Sequence, residues 1–123
     1  MRPEDRDAAY LWDLREAARE VADLVTPLTR EEFTEQRLLR FAVERLLIIL
    51  GEAGACVSEK YRLSHPEIPW SSLQRIRNGL AHGYGRATAQ RVWTTARNLI
   101  VPLSIQLTSL IKAPPTDEPD RSL

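Results

Sequence analysis

The chain of 123 residues predicts an all-α protein, an up-and-down helical bundle of four to five helices, the last kinked or split at Pro102. Three observations lead there. Apolar residues recur three and four apart along most of the chain, the spacing that gives a helix one apolar face. No segment alternates apolar and polar residues as a half-buried strand does. The breaks between periodic stretches are short, and short connections favour neighbours running up and down beside one another.

The first helix runs from about residue 5 to 26, its apolar face marked by Tyr10, Leu11, Leu14, Ala17, Ala18, Val21, Leu24 and Val25, and Pro27 ends it. The second starts at a capping box, where the Thr29 hydroxyl takes an orphan N–H and Glu32 reaches back to the cap. Leu28 and Phe33 flank that cap as a hydrophobic staple. This helix is expected to run to about Arg62 through Leu39, Val43, Leu46, Leu47, Ile49, Leu50, Ala53 and Val57. Gly51 and Gly54 would each cost roughly 1 kcal/mol in an exposed helix, so their use is close approach of another helix or slight bending. Ser64-His65-Pro66-Glu67-Ile68-Pro69 is a linker, because each proline disfavours helix at the residue before it. A third helix spans about Trp70 to Ala81 or His82, with Gly83 as its terminator. A fourth starts near Thr88, carries Val92, Trp93, Ala96, Leu99 and Ile100, and meets Pro102, which lacks the N–H that would continue the ladder. Leu103, Leu107, Leu110 and Ile111 extend the apolar face. The bundle domain is thus expected over 1–112, and Pro-rich, acidic 113–123 reads as a disordered tail.

The length suits one domain with a single modest core. The strongest apolar stretch, Leu46 to Leu50, is far too short to span a bilayer, and the charged N-terminus leads into no signal core. With a lone cysteine, Cys56, no intramolecular disulfide can form; a cytoplasmic location and a small buried thiol are the expectations. Trp12, Trp70 and Trp93 read as core or interface residues, and His65 as a solvated linker residue.

Net charge is zero but unevenly spread. Residues 1–67 hold 14 acids and 10 bases, a net −4, whereas residues 68–116 hold no acid and six bases: Arg75, Arg77, Arg86, Arg91, Arg97 and Lys112. Such a half attracts polyanions even in a neutral chain. Within it, Arg77-Asn-Gly-Leu-Ala-His82-Gly-Tyr84 sets a guanidinium, an imidazole and a phenol close together. An imidazole with an ordinary pKa of about 6.5 moves protons at cellular pH, and a guanidinium holds a phosphate and offsets charge on its oxygens. Together they suffice for RNA cleavage without a metal, the 2′-hydroxyl attacking the adjacent phosphate. Asn78 and His82, four apart on a helix, share a face on which the amide can orient the imidazole. Arg77 and His82, five apart, diverge by roughly 140°. Either the glycines turn the chain or two copies of the protein build one site, and the divergence favours the second. Arg75 and Arg86 are candidate phosphate or RNA contacts; no metal-binding cluster and no cofactor motif is evident.

The string Arg77-Asn-x-Leu-x-His82-x-Tyr84, preceded by His65-Pro-Glu-Ile-Pro-Trp70 and followed by Val92-Trp93, resembles the HepT-like toxins of the HEPN superfamily. Ala42-Val-Glu-Arg-Leu-Leu-Ile-Ile-Leu-Gly-Glu-Ala53 and Tyr10-Leu-Trp-Asp-Leu14 fit the same family, so the likeness covers about residues 5–112. The resemblance implies a homodimer whose Arg77 and His82 line a shared cleft. It implies a metal-independent endoribonuclease acting as the toxin of a toxin–antitoxin pair, neutralised by a minimal nucleotidyltransferase that transfers AMP to Tyr84. Glu52 matches a recurring family acid and can pair with Arg77. Relatives often carry an acid shortly after the tyrosine; here Gly85-Arg86-Ala87-Thr88 makes that segment more positive, with Thr88 left to cap the fourth helix. The competing readings are a non-catalytic module that binds a nucleotidyltransferase or nucleotide, and a purely structural dimerisation bundle.

Overall fold

A computed structural model of the chain describes residues 3–79 and 85–115, with side chains over 6–79 and 88–115. The described residues form seven α-helices and one π-helical turn, with no strand among them: α1 (Pro3–Val25), α2 (Arg30–Glu35), α3 (Arg37–Cys56), α4 (Glu59–Ser64), α5 (Trp70–Gly79), α6 (Gly85–Thr95), the π turn (Ala96–Ile100) and α7 (Val101–Leu110). α1 lies along α3, α3 along α5, and α1 also meets α7 and the π turn, while α2 packs on α6. One core results, built from Leu14, Val21 and Val25 of α1, Val43, Leu47 and Leu50 of α3, Phe33, Leu73, Val92, Ile100, Leu103 and Leu107. The helical bundle expected from the periodicity is therefore the fold.

The long second helix of the sequence reading is three helices. The capping box forms as expected, Thr29 Oγ1 accepting from the Glu32 N–H and the Glu32 carboxylate accepting from the Thr29 N–H. Phe33 is fully buried, and the chain bends at Gln36 before α3 sets off. A second break falls at Val57 and Ser58, where both residues are extended. Ser58 caps α4 with its hydroxyl, accepting from the Tyr61 N–H. Asp7, only 6% exposed, holds this junction by accepting 2.8 Å and 2.6 Å bonds from the Ser58 N–H and hydroxyl. The carboxylate thereby stitches α1 to the turn between α3 and α4.

The connection from α4 to α5 is structured. Ile68 is 1% exposed and plugs into the core. His65 is half-buried, its ring stacked on Tyr61 at 4.1 Å, and its carbonyl accepts from the Trp70 indole N–H; it is not a solvated linker residue. Burial raises the Tyr61 phenol above its ordinary pKa, and the Glu67 and Asp7 carboxylates push it further the same way. Cys56 is exposed rather than buried, because Ala53 and Val57 take the inward positions around it.

Pro102 does not split the last helix cleanly. It cannot donate to the Asn98 carbonyl, and its ring crowds that carbonyl in a regular helix. The chain answers by widening one turn: Val101 N–H donates to the Ala96 carbonyl, five residues back, and α7 continues from there. No described helix is long and apolar enough to cross a membrane. The expected tail at 113–123 lies mostly outside the described residues; 113–115 are not helical.

Candidate functional site

α5 owes its position to two glycines of α3. A Cβ on Gly51 would stand 2.7 Å from the Arg77 Cβ, 3.1 Å from the Leu73 carbonyl oxygen and 3.2 Å from the Arg77 Cα. A Cβ on Gly54 would stand 3.3 Å from the Leu73 Cδ1. Leu73 and Arg77 are four apart and so form one stripe of α5, pressed into the notch these glycines leave. Leu73 ends there in the core. Arg77 grows from the same stripe, its root against Gly51, yet the residue is exposed and its side chain extends away from the contact.

The next stripe of α5 faces α6. Arg75, Ile76 and Gly79 form one wall of a cleft of about 210 Å³, and Thr88, Arg91, Val92 and Thr95 of α6 form the other, with Leu47 of α3 beside them. The α6 residues recur at three, four and seven, one helical face. Arg91 donates to the Thr88 hydroxyl at 3.3 Å, and Arg75 donates to the Ser72 hydroxyl at 3.0 Å. Ion pairs within the described residues belong to α1 and α2, joining Arg15 and Arg19 to Glu16, Arg19 to Asp23, and Arg30 to Glu31. None involves Arg75, Arg77 or Arg91. Among the described residues, therefore, no carboxylate pairs with the cations on either side of this cleft.

The residues singled out by sequence fall into three groups. Arg75 lines the cleft and Arg77 stands on the adjoining stripe, two residues on and turned toward α3. Asn78 and Glu52 are exposed, on α5 and α3, and no ion pair joins Glu52 to Arg77. His82 and Tyr84 lie outside the described residues, as does the Arg86 side chain. Thr88 differs from its expected place. α6 begins at Gly85, three residues sooner than the pattern suggests, so Thr88 is no cap; it lies inside the helix, buried at 3%. Sequence reasoning passed over Arg91, Thr88 and Thr95 as site residues. Their spacing was readable as a helical stripe, but its convergence with Arg75 depends on α6 packing on α2 and α3 so that it stands across the cleft from α5. Among the described residues no group of three or more His, Cys, Asp or Glu gathers to hold a metal ion.

The three half-buried tryptophans serve the scaffold. Trp93 meets Phe33 with ring centroids 5.4 Å apart, Trp70 sets its edge to Tyr61, and Trp12 lies under the Arg15 guanidinium. None lines the cleft.

Comparison with known proteins gives a consistent result. Residues 14–110 match the family described as Ribonuclease HepT-like. The chain is 32% identical over 103 residues to a Thermococcus cleftensis protein named Probable ribonuclease HepT, covering 84% of this chain and 94% of that one. It is 34% identical over 76 residues to a Methanocaldococcus jannaschii protein named as a candidate RNase, covering 62% and 70%. A second protein of that organism, similarly named, is 29% identical over 104 residues, covering 85% and 86%. No solved structure gives a significant match.

Proposed function

Because this chain belongs to the HepT-like ribonuclease family, we propose that it is a metal-independent endoribonuclease whose site is completed by a second copy of itself. The observation that carries this reading is the placement of Arg77: its backbone is locked in the Gly51 notch while its side chain is exposed, unpaired with any described carboxylate, and five residues before His82. The 2′-oxygen attacks the adjacent phosphorus as His82 takes the hydroxyl proton. The P–O5′ bond breaks, a proton passes to the departing 5′-oxygen, and a 2′,3′-cyclic phosphate remains. Arg77 binds the phosphate oxygens and offsets the charge that builds on them in the transition state. Asn78 orients the imidazole, and Arg75 and Arg86 contact the flanking RNA backbone.

In this reading the protein is the cytoplasmic toxin of a toxin–antitoxin pair. Its partner is a minimal nucleotidyltransferase that silences it by transferring AMP to Tyr84, adding bulk and negative charge where RNA must lie. Purified protein is expected to cleave RNA with a chelator present, and His82→Ala to abolish cleavage while the circular-dichroism spectrum and melting temperature stay unchanged. Full activity in His82→Ala would remove the imidazole from the mechanism. Intact RNA together with a co-purifying nucleotidyltransferase would instead identify a non-catalytic binding module. Co-expression with that partner should add about 329 Da per AMP, mapped to Tyr84.

A further inference from the structure

We propose that the cleft between α5 and α6 seats one unpaired nucleotide of the RNA beside the cleaved bond. Arg75 and Arg91 hold its phosphate, and Ile76, backed by the buried Leu47 and Val92, takes its base. This rests on the ribonuclease reading and adds to it the form of RNA the protein selects.

Three features of the cleft carry the inference. First, its two cations come from opposite walls, Arg75 on α5 and Arg91 on α6, so a phosphate between them can take guanidinium donors from both sides. Each guanidinium is steadied by a hydroxyl rather than neutralised by a carboxylate: Ser72 accepts from Arg75 and Thr88 accepts from Arg91. A guanidinium carries five N–H donors, so one such bond fixes its direction and leaves the others for a ligand. Second, the cleft is apolar between its polar residues: Ile76 is half-buried there, and the fully buried Leu47 and Val92 close the cleft behind it. A bare anion has no use for such a surface, whereas the flat face of a base does. Third, the size suits a single base with its phosphate at the mouth. The cleft measures about 210 Å³, below the roughly 300–1,000 Å³ of sites that enclose a whole drug-sized ligand. A base still stacked in a duplex cannot enter such a recess, and side chains cannot read the narrow major groove of A-form RNA, so the cleft takes splayed, single-stranded substrate. Thr95 reaches the same recess from the far end of α6, where a larger side chain would fill the base seat without changing charge.

The test measures binding by the full-length protein to a single-stranded oligonucleotide made uncleavable by 2′-O-methyl ribose, over a range of salt. Arg91→Gln is expected to weaken binding about ten-fold and to lower the magnitude of the salt slope by about 0.7, one phosphate contact on a single strand. Thr95→Phe is expected to weaken binding to a similar extent with the slope unchanged. Melting curves establish that each variant is folded; Arg91 is exposed, so its replacement leaves the core intact. The same RNA as a duplex, and inorganic polyphosphate, should compete poorly. Arg91→Gln binding like the parent would overturn the cleft while RNA cleavage by the parent kept the ribonuclease reading. Polyphosphate competing as well as RNA, or a folded Thr95→Phe binding normally, would overturn the base seat. A parent protein that neither bound nor cleaved RNA would overturn both.

Discussion

Asp7 is one of few charged side chains inside the molecule, and it is there for the two bonds it accepts from Ser58. Removing the acceptor strands a backbone N–H and a hydroxyl near the core, so Asp7→Ala should lower stability by about 1–3 kcal/mol, read from urea denaturation. Tyr61 makes a prediction in pH. Its pKa is raised, by burial first and then by Glu67 and Asp7, so above about pH 10 the unfolded phenol loses its proton before the folded one does. The folded state then holds more protons, and stability must fall as pH climbs through that window. Melting temperatures between about pH 9 and pH 11 should show this loss, and Tyr61→Phe should reduce it. At this scale the sequence was legible where the cause is local: the Thr29–Glu32 capping box declares itself by spacing, while His82 and Tyr84 lie outside the described residues. The Asp7–Ser58 pair, 51 residues apart, has no local signature. Nor has the stacking that half-buries His65, which depends on Tyr61 packing against the core.

The helices repeat this contrast between local and distant causes. α1 ends where Pro27 foretold, and Pro102 disturbs the final helix through its missing N–H. The bend at Gln36 was hidden, since no Gly or Pro stands there; it follows from burying Phe33 under α6 while α3 turns to lie along α1. The two glycines of α3 were visible, but only the packing separates their roles. At Gly51 an added methyl would meet the Cβ, Cα and backbone of α5, atoms that cannot step aside. Gly51→Ala should therefore cost about 1–3 kcal/mol through overpacking, more than the roughly 1 kcal/mol of helix propensity it gains. It should also lower RNA cleavage by shifting Arg77. At Gly54 the methyl would meet the end of the Leu73 side chain, which can rotate. Gly54→Ala should be close to neutral, and thermal melts of the two variants side by side decide the matter.

Across the whole molecule, charge is unevenly spread, with 14 acids against 10 bases in residues 1–67 and no acid in α5 to α7. The proposed two-copy site makes a prediction at this level. If each site takes Arg77 from one subunit and His82 from the other, mixing inactive Arg77→Ala with inactive His82→Ala should restore up to about a quarter of parental activity, since half the dimers are mixed and each has one complete site. No recovery after verified subunit exchange would place both residues in one subunit or require both pairs. The Gly51 notch bears on how such a pair can assemble. It anchors Arg77 at its base and leaves four rotatable bonds beyond, so the guanidinium sweeps a bounded region around a fixed pivot. Any second protomer must deliver its imidazole inside that region, and a docking pose that falls outside it is catalytically silent however tightly the two surfaces adhere.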